Sequence, residues 1–363
     1  MTVASPRRTA RHVKTVNLAL QGGGAHGAFT WGVLDKLLEE DRLWIEAISG
    51  TSAGALNAIA MAQGFHEGGA PAARERLAAL WKAISDSARM SPIQRPPHAR
   101  LTGSWSLAGS PLYVFFDVLN RLTSPYERNP FNYNPLREVA RKTIDFAKVR
   151  ACREVELFVS ATNVRTGRGR VFHREEMTLD VAMASACLPT LHQAVEIDGE
   201  AYWDGGYMGN PALFPFFDGS PADDIVIVQL NPIARDELPR TAQDILNRIN
   251  EITFNSALMH ELRAIDFVKR LLEEGQLDPA RYRRMHIHVI ASRKRMRPLD
   301  ASSKLNVEWP FLTWLFEVGR DTARKWIDEN LDLLGVRSTV NVREMFQGVG
   351  NLPSASPSVR NAG

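Results

Sequence analysis

Cysteine is nearly absent from this chain. Two cysteines among 363 residues, Cys152 and Cys187, are too few and too far apart for a disulfide framework or a zinc site. That scarcity points to a reducing compartment and makes both thiols packing residues. Uninterrupted apolar runs are missing as well. Ala47 to Phe65 carries no charge, but Gly50, Gly54 and Gly64 break it, which suits a buried strand and helix rather than a membrane span. Any membrane contact is therefore expected to be peripheral, made from the cytoplasm. Charge of one sign is lacking too: 44 Lys and Arg against 41 Asp and Glu leave +3, which argues against a nucleic-acid partner. A hydrophobic content of 44% with 23% charged residues is that of an ordinary globular protein, and the length suffices for one large α/β domain.

The two ends are expected to stay outside that domain. Residues 1–14 are polar and basic, with Arg7, Arg8, Arg11 and Lys14, and the apolar run that follows, Val16 to Leu20, is too short for an export signal. Gln347 to Gly363 is rich in Gly, Ser, Pro and Asn. The expected layout is a disordered basic arm over 1–14, a folded domain over 15–345 and a disordered tail over 346–363.

What the chain does have is glycine in two informative places. Gly22-Gly23-Gly24-Ala25-His26-Gly27 follows the apolar run Val16 to Leu20 and precedes Ala28 to Glu40, where Phe29, Val33, Leu34, Leu37 and Leu38 recur at helical spacing. Gly50-Thr51-Ser52-Ala53-Gly54 lies one helix and one strand further on, after Leu43 to Ser49 and before the small-residue helix Ala55 to Gln63. Two strand ends thus bring backbone N–H groups and a serine to one edge of a parallel sheet. A G-x-S-x-G turn presents its hydroxyl at a helix N-terminus, with glycines where a Cβ would crowd neighbouring elements. Attack on an ester builds charge on oxygen, and preorganised N–H donors stabilise it by about 3–4 kcal/mol each. Gly22, Gly23 and Gly24 are the candidate donors.

Other readings remain at this point. Gly22, Gly24 and Gly27 satisfy G-x-G-x-x-G, but a dinucleotide site asks for Asp or Glu at the end of the second strand, where this chain has Ser49-Gly50-Thr51-Ser52. Ser52 could also be no more than a helix N-cap. A third element weighs against both. The hairpin pattern Ala194 to Ile197 and Ala201 to Trp203, turning at Asp198-Gly199-Glu200, ends on Asp204-Gly205-Gly206. This leaves a carboxylate at a strand end, a candidate base for Ser52.

With these three motifs in order, and with Ala184-Ser185-Ala186-Cys187-Leu188-Pro189 ahead of the last, the chain resembles the patatin-like phospholipase family over about residues 16–230. The resemblance implies a three-layer α/β/α fold with a mostly parallel sheet and a Ser-Asp dyad. Ser52 would be the nucleophile, Asp204 the base, and Gly22 to Gly24 the oxyanion hole. Gly27, Gly50, Gly54, Gly205 and Gly206 would support the motifs. It implies no catalytic histidine, no metal and no organic cofactor. The family commonly carries Arg or Lys where this chain has His26, so a fixed charge gives way to a group that ordinarily titrates near neutrality. A classical Ser-Asp-His hydrolase is the nearest rival, since His260, His286 and His288 follow Asp204. Its elbow, however, normally comes after more strands than this chain has room for.

By the same resemblance the substrate is a phospholipid or lysophospholipid. Neutral lipid, storage polyester or acyl thioester would suit the same dyad, and a lipid sensor with little turnover is the non-enzymatic alternative. Residues 90–134 form a candidate lid, proline-rich at both ends around the apolar run Leu112 to Leu122, which would be either an interfacial helix or a helix packed on the core. A buried strand is expected over Ile225 to Leu230, another over Met285 to Ile290, and helices over Thr241 to Glu274 and Pro310 to Leu334. Trp309 and Trp314 are expected in core or lid contacts. Arg281, Arg283, Arg284, Arg293, Lys294, Arg295 and Arg297 are read as one basic patch. Ile249 to Ser256 and Ser303-Lys304-Leu305-Asn306 resemble a bacterial subgroup of the family, without any chemistry following from either.

Overall fold

The computed structural model describes residues 13–89, 91 and 93–347. The expected arm and tail lie mostly outside these residues. At the boundaries the structure differs from expectation, since Lys14 already opens the first strand and Phe346 and Gln347 close the last helix.

An eight-stranded mixed sheet organises the chain. Along the main path its order is β5 (Val195–Ile197), β6 (Glu200–Asp204), β3 (Glu156–Asn163), β2 (Leu43–Gly50), β1 (Lys14–Leu20), β7 (Asp224–Val228) and β8 (His286–Ile290), with β4 (Gly169–His173) paired to β3. Strands β3, β2, β1, β7 and β8 run parallel, whereas β4, β6 and β5 pair antiparallel. The central strands are mostly buried and rich in apolar residues, as expected where both faces are covered. Val226 and Val228 of β7 face one core and Ile225 and Ile227 the other, as the two-residue period requires. In β2 a bulge passes over Glu46, so that Ile45 and Ile48 share one face and Ala47 takes the other.

The first core packs the sheet against α1 (Gly27–Leu37), α2 (Ala53–Ser87) and, further along the chain, a helix over Trp309–Asn330. Helix α2 extends well past the expected Gln63. Gly68 and Gly69 leave helical geometry, and Gly64 lies against the backbone of Ala73, so the second half folds back on the first. Between α2 and β3 lie α3 (Pro97–Leu101), α4 (Pro111–Leu122), α5 (Pro125–Arg128), α6 (Pro135–Thr143) and α7 (Phe146–Ala151). The first four open on proline, which suits the first helical turn because its missing N–H has no partner there. Helix α8 (Leu179–Ser185) follows β4. The second face is covered by α9 (Pro215–Gly219), α10 (Ala242–Glu273) and α13 (Val342–Gln347). Between these last two come α11 (Arg293–Met296) and α12, the Trp309–Asn330 helix. The result is the three-layer α/β/α arrangement expected from the sequence.

Of the two surface expectations, the first is met and the second is not. Trp309 and Trp314 make internal contacts, with Trp31 and Phe311 respectively. The basic residues do not form one patch: Arg281, Arg283 and Arg284 precede β8 while Arg293 to Arg297 follow it, so a strand of about 17 Å separates the groups. Asp223, Glu273 and Asp236 pair with Arg283, Arg284 and Arg297. Among the described residues no helix is long and apolar enough to cross a membrane.

Candidate active site

The sheet explains why two residues 152 positions apart meet. Strand β4 occupies one edge of β3 from Phe158 to Thr162. On the opposite edge β2 pairs only as far as Gly50, beside Val159, and then leaves the sheet for the turn carrying Ser52. Two residues on, β6 takes over that edge, with Asp204 beside Ala161. The strand that ends in the aspartate thus occupies the edge vacated by the strand that leads to the serine.

Ser52 sits on the turn into α2 with φ 55° and ψ −121°, a left-handed backbone that costs a non-glycine residue about 1–3 kcal/mol. Its side chain makes no capping hydrogen bond to α2, so a plain N-cap does not account for it. The turn is held from outside: the Ser52 amide donates to Ser185 Oγ at the end of α8 (2.9 Å), and the Thr51 hydroxyl to the Gly209 carbonyl (2.6 Å). Gly54 must lack a side chain, because a Cβ there would stand 2.2 Å from the carbonyl oxygen of Leu20. Helix α2 therefore starts directly against the end of β1.

Asp204 is fully buried. Its Oδ1 accepts from the Gly206 amide at 2.7 Å, while Oδ2 has no aligned hydrogen-bond partner. Burial pushes the carboxyl pKa up to about 7, against the opposing pull of the Gly206 amide, the nearby Ser52 hydroxyl and the positive charge of Lys304. Asp204 in turn contributes to the raised pKa of Tyr207 and of Cys187, each pushed up to about 12 chiefly by burial.

The glycine loop departs from expectation at its first member. The Gly22 amide donates to Asn210 Oδ1 at 2.6 Å, so this N–H is already committed. Gly23 and Gly24, by contrast, line the same cavity as Ser52 and Asp204. Gln21 anchors the loop: its Oε1 accepts from the amides of Leu230 and Asn231, both at 2.9 Å. Gly24 has φ +58° and packs against the carbonyl of Lys304, so a side chain there would be strained and obstructed. His26 is likewise not what its residue type suggested. It is buried, bonds Ser303 Oγ at 2.8 Å, and is held down to a pKa of about 3 by desolvation and by Lys304. It is neutral at physiological pH instead of titrating there.

The cavity measures about 1770 Å³. Tyr113 and Phe116 from α4, Leu246 and Phe254 from α10, and Trp309 and Pro310 from α12 line its walls. The three histidines of the rival triad stand elsewhere: His260 is exposed on α10, and His286 and His288 lie on β8, where His288 pairs with Asp224 at 2.8 Å. His192 does line the cavity, but among the described residues no hydrogen bond links it to Ser52 or Asp204.

A family model for patatin-like phospholipases matches residues 18–217, the stretch that holds the glycine loop, the serine turn and the aspartate. The chain belongs to the patatin-like phospholipase family. It is accordingly a lipid acyl hydrolase. A search of curated proteins finds no significant match. Among solved structures, VipD from Legionella pneumophila is 13% identical over 85% of this chain and 67% of its own, with a TM-score of 0.34. The type III effector protein ExoU is 17% identical over 84% of this chain, with a TM-score of 0.27. This chain spans 54% of ExoU. Relative to the family motifs, the residues that sequence reasoning left without a role are Ser185, Asn210, Asn231 and Lys304. Ser185 and Lys304 stood within recognised motifs, whereas Asn210 and Asn231 did not.

Proposed function

We propose that this patatin-like hydrolase cleaves acyl esters of phospholipids or lysophospholipids with Ser52 as nucleophile and Asp204 as general base. The observation that carries the proposal is the buried Asp204 carboxyl, poised near neutrality with Oδ2 unpartnered, in one cavity with a serine on a strained turn. Asp204 takes the Ser52 proton as Oγ attacks the acyl carbonyl, and the amides of Gly23 and Gly24 bind the oxyanion. Collapse breaks the bond to the alcohol, which leaves with the proton held by Asp204. Water then gives its proton to Asp204 and its oxygen to the acyl group, freeing the fatty acid and returning the proton to Ser52.

The cavity supports a lipid as substrate, being larger than the roughly 300–1,000 Å³ of ordinary small-molecule pockets. Its rim supports attack at a lipid surface. On α4, Tyr113 and Phe116 face the cavity while Val114, Phe115, Val118 and Leu122 are exposed; on α10, Ile245, Ile249 and Ile252 are exposed beside the cavity-lining Leu246. Helix α4 thus has an apolar outer row and does not bury it in the core. Wild-type protein is expected to release fatty acid from phosphatidylglycerol vesicles and Ser52→Ala to release none. Replacing Phe115 and Val118 by serine should reduce vesicle hydrolysis about 5- to 30-fold, through lost apolar contact of about 1–2 kcal/mol, and reduce hydrolysis of a soluble short-chain ester much less. Equal losses on both substrates would remove the interfacial role of α4. Vesicle hydrolysis by Ser52→Ala would overturn the proposed nucleophile.

A further inference from the structure

The loop that would bind the oxyanion carries no formal charge, because its one titratable residue, His26, is buried and neutral. A cation nevertheless reaches this corner of the cavity from a distant part of the chain. The 3-10 turn Ser302–Leu305 docks on the glycine loop at two points: the Lys304 carbonyl meets Gly24, and Ser303 Oγ meets His26 Nε2. Asp300 fixes this turn by accepting from the Ser303 amide at 2.9 Å and from the Ser302 hydroxyl. The Lys304 ammonium donates to Asn231 Oδ1 at 2.8 Å, and Asn231 Nδ2 donates in turn to the Gly22 carbonyl at 2.9 Å. Cation and loop therefore share one hydrogen-bonded frame.

Lys304 also lines the cavity with Gly24, Ser52 and Asp204. An ammonium group has three donors, and its described hydrogen bond to Asn231 uses one. Burial lowers the ammonium's pKa from its ordinary value, and its charged neighbours offset this only in part. Glu251 on α10 attracts it, but that carboxylate is already held by Arg235 and Arg248, and Arg235 itself repels Lys304. Asp204 is the other anion within reach, and Lys304 lowers its pKa. A desolvated cation with donors left unused among the described residues, on the same cavity as the atoms that would bind the acyl carbonyl, is a receptor for an anionic group close to the scissile ester.

We infer that Lys304 determines specificity at this site by pairing with the phosphate of a substrate whose ester is bound at Ser52. The inference rests on the proposed Ser52–Asp204 chemistry, and it distinguishes phosphate-bearing lipids from the neutral lipids and polyesters that the same dyad could cleave. A charged hydrogen bond of this kind contributes about 10- to 100-fold in kcat/KM.

The test uses two soluble substrates below their aggregation limits, dihexanoyl-phosphatidylglycerol and neutral dihexanoylglycerol. Neither involves a membrane surface, so docking cannot contribute. Lys304→Met should lower kcat/KM on the phosphate-bearing substrate at least tenfold more than on the neutral one, mainly through KM. Lys304→Arg should restore most of the preference. The acid limb of the pH–rate profile on the neutral ester should also move to higher pH in Lys304→Met, because a positive charge near Asp204 is gone. Equal losses of Lys304→Met on both substrates, an unmoved acid limb, or an arginine variant as unselective as methionine would overturn the inference. Neutral-ester hydrolysis that survives Ser52→Ala would instead overturn the dyad on which it rests.

Discussion

Asp204→Asn should cut turnover about 10³-fold or more and at the same time stabilise the protein. The loss follows from the proposed general base, whose removal costs roughly 10²–10⁴-fold. The gain follows from linkage. The carboxyl pKa rises from 3.8 to about 7 on folding, so between those values the native state binds more protons than the unfolded chain, and stability falls as pH rises through this window. Ionised Asp204 costs on the order of 4 kcal/mol at pH 8, most of it absent near pH 4. Asparagine avoids this cost and still accepts the Gly206 amide through its side-chain oxygen. Thermal melts should place the variant several degrees above wild type at pH 8, with the gap closing toward pH 4. A variant less stable than wild type at pH 8 would mean that the buried carboxylate is compensated by contacts this account does not include.

The pH profile is the second large effect. Asp204 accepts a proton only when ionised, so kcat/KM on a soluble ester should rise with a slope of one below its pKa and flatten above about 7. This gives about a 100-fold difference between pH 5 and pH 8. His26 is held at about 3, and burial together with Arg128 pushes His192 below its ordinary value, so neither histidine supplies a limb near 7. A profile flat from pH 5 to 8 would contradict a buried carboxylate base. The limb should persist in His192→Gln and shift in Lys304→Met.

The two groups of the proposed dyad were legible in the sequence because each stands in a glycine-bracketed turn at a strand end, a local pattern that needs no knowledge of the fold. The hairpin before Asp204 was legible for the same reason, with Asp198-Gly199 at its turn and β5 and β6 around it. What failed was non-local. The helix expected over Ala55 to Gln63 runs on past Gly68, Gly69 and Pro71, and Ala73, Leu77, Leu80, Trp81 and Ile84 continue a buried face once the chain folds back. Strand β4 is short and partly exposed, so its alternation is faint. Gly22 looked like its two neighbours, and only the fold brings Asn210 to its amide. His26 looked titratable because its residue type carries no record of burial. Lys304 lay in a motif with no evident chemistry, 252 positions beyond Ser52. It acquires a role only when its turn docks on Gly24.

Covalent labelling tests the central claim most directly. Intact-mass analysis after treatment with a fluorophosphonate should show one adduct on wild type, located on Ser52, none on Ser52→Ala, and strongly slowed labelling of folded Asp204→Asn. Rapid wild-type labelling at pH 8 and slow labelling at pH 5 would tie the activated serine to the buried carboxylate. An adduct that persists on Ser52→Ala, or a folded wild type that takes no label at pH 8, would contradict the proposed dyad.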